Sequence, residues 1–406
     1  MQDKLQMNNP GAAGVPATGQ TATVQIVLTV FFTFICYMTI GIPIAVLPGF
    51  VHADLGFGAV WAGLAISTQY LATFATRAYA GRLSDTAGPK HTVLVGLAFC
   101  GLSGLLMLLS SQLHASPGFA LALLLLGRLA LGTGESLAAT GAVTWAIGRV
   151  GDAHSTRVIS MNGVASFGAL ALGAPLGVVL DDAGGFAAIG GAVALLGLIG
   201  MALAVGRAPV PVVPGKRMDF ADVFMRVLPL GLCQALGAIG FGVISAFITL
   251  FYASHQWSGA AAALTAFGAA FVFMRLVCGG AIRRFGGYPV SIASFAFECA
   301  GLLLLWQAWD AQIALCGAAL SGAGFALVFP SLATEAVHGV PAANRGAALG
   351  AYTVFLDLAL WIAGPLAGMV ATGFGYAAVF LFAAFAAALA VVLSGALYWR
   401  RRRLVA

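Results

Sequence analysis

Three charged side chains stand deep inside apolar stretches of this 406-residue sequence: Arg128, Glu135 and Asp357. An ionised group in such surroundings costs several kcal/mol unless it is paired or hydrated, so each marks a place where charge is used. Arg128 and Glu135 are seven residues apart, which on a helix puts them on one face and about 10 Å apart along the axis. That is too long for a direct ion pair, although both side chains reach a shared water or ligand. The chemistry this supports is proton exchange at Glu135, with Arg128 favouring the charged carboxylate or holding an anionic group. The structural alternative is a fixed ion pair that ties this helix to a neighbour. Asp357 lies about eleven residues into its own apolar stretch, near mid-depth by rise per residue. It is either the proton-exchanging group in place of Glu135 or a partner for Arg275.

Two further carboxylates are weaker candidates. Glu298 is expected to be satisfied locally, by Gln307 or a neighbouring hydroxyl, and Glu335, after Pro330, is either solvated or closes a gate with Arg345. The polar residues suited to contact a small solute are Tyr37, Gln69, Tyr70, Asn162, Gln234 and Tyr352. Each competes with the plainer role of a helix-to-helix hydrogen bond.

Composition identifies the elements that must position these groups. With 61% hydrophobic and only 8% charged residues, and a mean hydropathy of +1.00, the chain falls far below the roughly 25% charge of soluble domains. It reads as a multi-pass membrane protein embedded in a lipid bilayer. Runs of about 18 or more apolar residues mark spanning helices, and twelve occur, at about 24–48, 58–80, 91–111, 118–145, 158–180, 185–206, 224–253, 259–281, 290–309, 312–337, 346–370 and 375–399. A β-barrel is excluded, because its strands would alternate apolar and polar over about ten residues. Of the 19 Lys and Arg, all but Arg77, Arg128 and Arg275 fall in alternate hinges or tails. By the positive-inside rule both termini are expected in the cytoplasm. The net charge of +6 is thereby explained by topology and gives no reason to expect nucleic-acid binding. Cys36, Cys100, Cys233, Cys278, Cys299 and Cys316 lie inside spans without a CxxC pair, so no disulfide, metal or cofactor is implied. HExxH, GxSxG and Walker motifs are missing, which argues against an enzyme and against direct ATP coupling.

The chain also repeats itself. Arg77, Gly81, Asp85 and Gly88, in the polar hinge RAYAGRLSDTAGPK that ends at Lys90, match Arg275, Gly279, Arg283 and Gly286 at the same spacing. Gly173, Pro175 and Gly177 in GAPLG match Gly364, Pro365 and Gly368 in GPLAG. The expected organisation is a disordered tail at 1–22, a six-helix bundle at 23–206, a linker at 207–222, a second bundle at 223–399 and a basic tail at 400–406. Two such halves around a cavity are the pattern of one large class of secondary transporters. Asp85 is placed to meet the amino end of span eleven, near Asn344 to Gly346, where the helix dipole and unpaired N–H groups favour an anion. Arg77 is then placed to orient Asp85 or to pair with a carboxylate of span eleven.

These pieces resemble the major facilitator superfamily along all twelve spans. GRLSDTAGPK is similar to its loop 2–3 signature, with Thr86 where the family usually has arginine; GRLALGTGES resembles its fourth-span motif and GALALGAPLG its fifth-span antiporter motif. FPSLATEAV, NRGAALGAYTVFLDL and GPLAG add a likeness to a bacterial efflux subgroup. The resemblance implies twelve helices in two pseudo-symmetric bundles and alternating access in a bacterial inner membrane; a monomer is expected because one chain already contains both halves of a cavity. It also implies proton-coupled export of a small amphipathic or polar compound. Proton-coupled uptake of a sugar or organic acid, and a non-transporting receptor, are the alternatives.

Overall fold

The computed structural model describes residues 19–113, 115–211, 220–338 and 345–405. Span one is Gly19–Ile44, span two Ala59–Thr86, span three Pro89–Ser111 and span four Pro117–Val150. Spans five and six are the arms of one 51-residue element, Ser155–Val205, which breaks at Gly184 and Gly185. Span seven is Phe220–Ser254, span eight Ala260–Val277 and span nine Gly287–Trp306. Span ten is broken into Ala311–Phe325 and Val328–His338; span eleven is Arg345–Phe374 and span twelve Tyr376–Val405. Ten of the described helices are long and apolar enough to cross a membrane. Span two falls short because Thr68, Gln69, Thr73 and Arg77 make it polar, and Ser155–Val205 supplies two crossings, so the architecture is the expected twelve-helix membrane fold.

Local breaks have identifiable causes. Span one stops after Pro43, and short helical turns at Leu47–Gly49 and Phe50–Asp54 carry the chain to span two. Gly88 and Gly286, paired by the repeat, both adopt positive φ, +94° and +87°, immediately before spans three and nine. A side chain is strained there, so the matching glycines make the same sharp turn in both halves. Three expected segment boundaries differ from the structure. The first helix already begins at Gly19, span seven begins at Phe220, and Arg400 to Arg403 continue span twelve instead of forming a tail. Residues 1–18 and 212–219, which hold most of the expected tail and half of the expected linker, lie outside the described residues.

Helix neighbours repeat between halves. Spans three and four, one and five, three and six, and two and four pack together, and so do nine and ten, seven and eleven, nine and twelve, and eight and ten. The halves meet where span two crosses span eleven and where span five crosses span eight. In lipid there is no hydrophobic drive between helices, so close approach of small residues does this work. At the first crossing a Cβ on Gly63 would stand 2.4 Å from the Gly364 carbonyl oxygen, and one on Gly368 would stand 2.7 Å from the Val60 Cα. The two GAPLG-like elements therefore face different partners: Gly364 and Gly368 pack across the halves, whereas Gly173 and Gly177 pack on Gly41 and Ile42 of span one within their own half. Leu198, Phe385 and Val392 stand on the exposed outer surface, the face that meets lipid.

Candidate functional site

Span two builds the site from one stripe of its surface. Gln69, Thr73 and Arg77 follow one another at four-residue spacing and so lie along one face. Gly132 of span four sits against the first of them: a Cβ there would be 1.9 Å from the Gln69 carbonyl oxygen. Only glycine allows this approach, and it brings the polar side chains of both spans together. Arg128, 1% exposed, donates from Nη2 to the Gln69 amide oxygen and to the Ile66 carbonyl at 3.3 Å. The Gln69 amide nitrogen in turn donates to Glu135 Oε2 at 3.2 Å. A guanidinium only donates and a carboxylate accepts, so the amide has one productive orientation. Arg128 and Glu135 are thus joined through Gln69, the residue that fills the role expected of a shared water or ligand.

Glu135 is 4% exposed and has two hydroxyl partners as well. Tyr37 of span one donates to Oε1 at 3.0 Å, and Thr73 reaches Oε2 at 3.2 Å. The Thr73 hydroxyl is also 3.0 Å from the Gly132 carbonyl and 3.1 Å from that of Gln69. One hydrogen cannot serve three acceptors. Thr73 donates to an ionised Glu135, and it can turn to a backbone carbonyl and accept from a protonated one.

Asp357 stands apart from this network. Arg77 donates to it through Nε at 2.8 Å and Nη2 at 2.7 Å, a two-pronged ion pair between spans two and eleven. From the Gly63–Gly364 contact to this pair span two advances about 21 Å and span eleven about 10 Å at 1.5 Å per residue. Side chains on a helix lean toward its amino end. The spans run in opposite directions, so Arg77 and Asp357 lean toward each other and close that offset. The expected alternative, pairing of Asp357 with Arg275, is corrected by this geometry. Arg275 is on the other crossing, where its Nη1 donates to the Ala326 carbonyl at 2.9 Å.

Other candidates occupy structural contacts. Tyr352 donates to Gln234 at 2.8 Å, joining spans eleven and seven in a fully buried bond, and Thr33 donates to Asn162 at 2.7 Å, joining spans one and five. Tyr70 is buried in the main apolar core. Lys90 donates to the Val205 carbonyl at 2.7 Å and fastens the hinge to the end of span six, while Gly81 has open space beside it. Asp85 is exposed, and its expected partner Asn344 lies outside the described residues, as do the side chains of Arg345 and Gly346. Glu335 pairs with Arg401 and accepts from the Gly287 amide at 3.1 Å. Glu298 is fully buried, and neither carboxyl oxygen has a hydrogen-bond partner among the described residues. That corrects the expected contact with Gln307 or a hydroxyl; its carboxyl instead lies in a slot left by Gly237 and Gly240 of span seven. Among the described residues no group of three or more His, Cys, Asp or Glu could hold a metal.

Sequence reasoning missed Thr73, although the four-residue step from Gln69 to Arg77 passes through it. It also missed a cluster of phenylalanines at the second crossing. Phe167 of span five stacks on Phe271 of span eight with ring centres 3.7 Å apart, and Phe241, Phe267 and Phe325 surround them. Phenylalanine is so common in apolar spans that no single one of the five stood out.

Comparison with known proteins bears on this architecture directly. Residues 29–359 and 230–405 match the family described as the Major Facilitator Superfamily. The chain is 57% identical over 389 residues to an uncharacterized MFS-type transporter of Burkholderia mallei strain SAVP1, covering 96% of each chain. It is 54% identical over 384 residues to another of Pseudomonas aeruginosa strain UCBPP-PA14, covering 95% of this chain and 96% of that one. Among solved structures, the nucleoside transporter NupG superposes with a TM-score of 0.74 at 13% identity, covering 92% of this chain and 99% of NupG. The xylose transporter XylE from E. coli superposes with 0.72 at 13%, covering 90% and 98%, and the human organic anion transporter MFSD10 with 0.69 at 15%, covering 92% and 99%. Twelve packed helices, a buried polar network between spans one, two and four, and close relatives of the same length converge on one assignment: the chain belongs to the Major Facilitator Superfamily, a membrane transporter and not an enzyme.

Proposed function

We propose that this protein is a proton-coupled exporter of a small amphipathic or polar compound, with Glu135 as the proton-exchanging group. The observation that carries this reading is the set of partners around Glu135. Each one suits both protonation states: Tyr37 and Thr73 have hydroxyls that rotate between donating and accepting. The amide of Gln69 keeps Arg128 near without letting it lock the carboxylate in a direct pair. Asp357 has different surroundings, since Arg77 pairs with it directly through two charge-assisted bonds. Its proposed role is a latch between halves that must open for the cavity to change sides.

The export direction rests on the resemblance of GALALGAPLG in span five to the family's antiporter motif; its glycines pack spans one and five backbone to backbone. The relatives' names leave the cargo open: a nucleoside, xylose and an organic anion are carried on the same fold at 13–15% identity. Proton release from purified protein on adding amphipathic amines, organic acids and sugars, compared with Glu135→Gln and Asp357→Asn, tests the assignment. Release lost in Glu135→Gln and retained in Asp357→Asn is expected. Loss only in Asp357→Asn moves coupling to span eleven, and ligand binding without release in the unaltered protein refutes proton antiport. For direction, cells lacking the protein should accumulate more of its substrate; if they accumulate less, the protein is an importer.

A further inference from the structure

The two crossings between the halves are related by the internal repeat, and they differ in one charge. The register that pairs Arg77 with Arg275 puts an arginine at both. The register that pairs Pro175 with Pro365 and Gly185 with Gly375 puts Phe167 of span five in the place of Asp357 of span eleven. At the first crossing arginine meets a carboxylate; at the second it meets a phenyl ring and a glycine. Arg275 is 6% exposed. The groups that face it are the Ala326 carbonyl of span ten, the Phe271 ring, 5.7 Å from the guanidinium carbon, and Gly163 of span five, where a Cβ would be 3.1 Å from Nη2. None is an anion.

We infer that Arg275 is the anchor for an organic carboxylate with an aromatic or apolar body, received between spans five and eight. The Nη1 donor is committed to Ala326, which leaves the rest of the guanidinium fork for a planar carboxylate. Phe167 and Phe271, stacked on each other, make the wall beside the guanidinium aromatic, the chemistry that suits an apolar body once spans five and eight admit it. The ligand thereby supplies at the second crossing the anion that Asp357 supplies at the first, and a bound carboxylate would draw spans five and eight together. This rests on the reading of the chain as a transporter of small solutes and names the class of solute.

Benzoate is a suitable probe, with benzamide as its neutral isostere and inorganic phosphate to represent a lipid headgroup or free phosphate. Thermal unfolding of the detergent-purified protein is followed as each is titrated. Benzoate should raise the midpoint in a saturable way while benzamide and phosphate do not. Arg275→Gln should weaken benzoate by at least about tenfold, and Arg275→Lys, which keeps the charge and loses the fork, should fall between. Gly163→Asp is the decisive variant. It installs an internal carboxylate at Arg275, whose flexible guanidinium must give way because a Cβ there would stand 3.1 Å from Nη2, so it should still fold and should lose the benzoate response. Benzamide acting as well as benzoate, phosphate replacing it, or an unchanged benzoate response in either Arg275→Gln or Gly163→Asp overturns the inference. Failure here is separable from failure of proton coupling. Absent benzoate stabilisation with proton release to another ligand refutes only the carboxylate site, and Arg275-dependent stabilisation without proton movement refutes only the coupling at Glu135.

Discussion

Replacing Asp357 by asparagine keeps the shape of span eleven and removes the charge that Arg77 holds. Breaking a buried pair by losing one partner costs about 3–5 kcal/mol, because the remaining ion is left without compensation. The Asp357 side chain is 3% exposed but that of Arg77 is 20% exposed, so solvent relieves part of this, and about 2–3 kcal/mol is the appropriate figure. The pair joins two spans of different halves and nothing within either one. Its loss therefore acts on the equilibrium between conformations, shifting it by about 30- to 150-fold at 1.4 kcal/mol per decade toward states in which spans two and eleven part at their basic ends. Spin labels at Arg82→Cys and Gly350→Cys, both exposed positions beyond the pair, report that separation in a background lacking the native cysteines. The parent should give a dominant short distance and Asp357→Asn a dominant longer one. Arg77→Gln with Asp357→Asn should recover much of the short component, since it removes the stranded guanidinium too. A distance distribution unchanged by Asp357→Asn, or a double-mutant coupling under about 0.5 kcal/mol, refutes the latch.

Three other perturbations have clear expectations. Gly132→Ala puts a methyl 1.9 Å from the Gln69 carbonyl oxygen, so thermal unfolding should show a loss of about 2–4 kcal/mol, whereas Gly118→Ala, with open space beside it, should be silent. Glu298→Gln removes a charge-bearing group that has no hydrogen-bond partner among the described residues and preserves its volume, so the melting temperature should hold or rise; Glu298→Ala should lower it by leaving a cavity. Glu335→Gln removes the pair with half-exposed Arg401 and should cost no more than about 1 kcal/mol in the same assay.

What the sequence made legible was whatever obeys a one-dimensional rule. Apolar run length locates spans. The spacing of Arg77, Gly81 and Gly88 exposed the repeat, which the matching positive φ of Gly88 and Gly286 now expresses in the backbone. Rotation of a helix about its axis obeys no such rule in a chain that is apolar on every side. That is why Asp357 could be given two partners and Glu298 the wrong surroundings. The Arg128–Glu135 spacing correctly excluded a direct pair, yet the bridging group comes from span two because Gly132 lets that span approach. A glycine in a membrane helix carries no label saying which neighbour it admits.

In the proposed scheme the same glycine joins a proton site at Glu135 and a latch at Asp357 in one device. Span two is fixed to span four by the Gly132 contact, so Gln69, Thr73, Arg128 and Glu135 move as one body with the first half. Two helical turns along the same stripe, Arg77 holds the second half by a charge pair. Rocking the halves therefore leaves the Glu135 network whole and breaks the Arg77–Asp357 pair. Neutralising Glu135 removes a negative charge of span four that lies against the span-two face carrying Arg77, which leaves Asp357 as the anion best placed to hold that arginine. In this scheme a protonated Glu135 favours the latched conformation and an ionised Glu135 competes for Arg77 and favours release. The spin-label pair tests the sign: Glu135→Gln should strengthen the short-distance component, and a shift toward the long distance would show that the proton and the latch oppose one another.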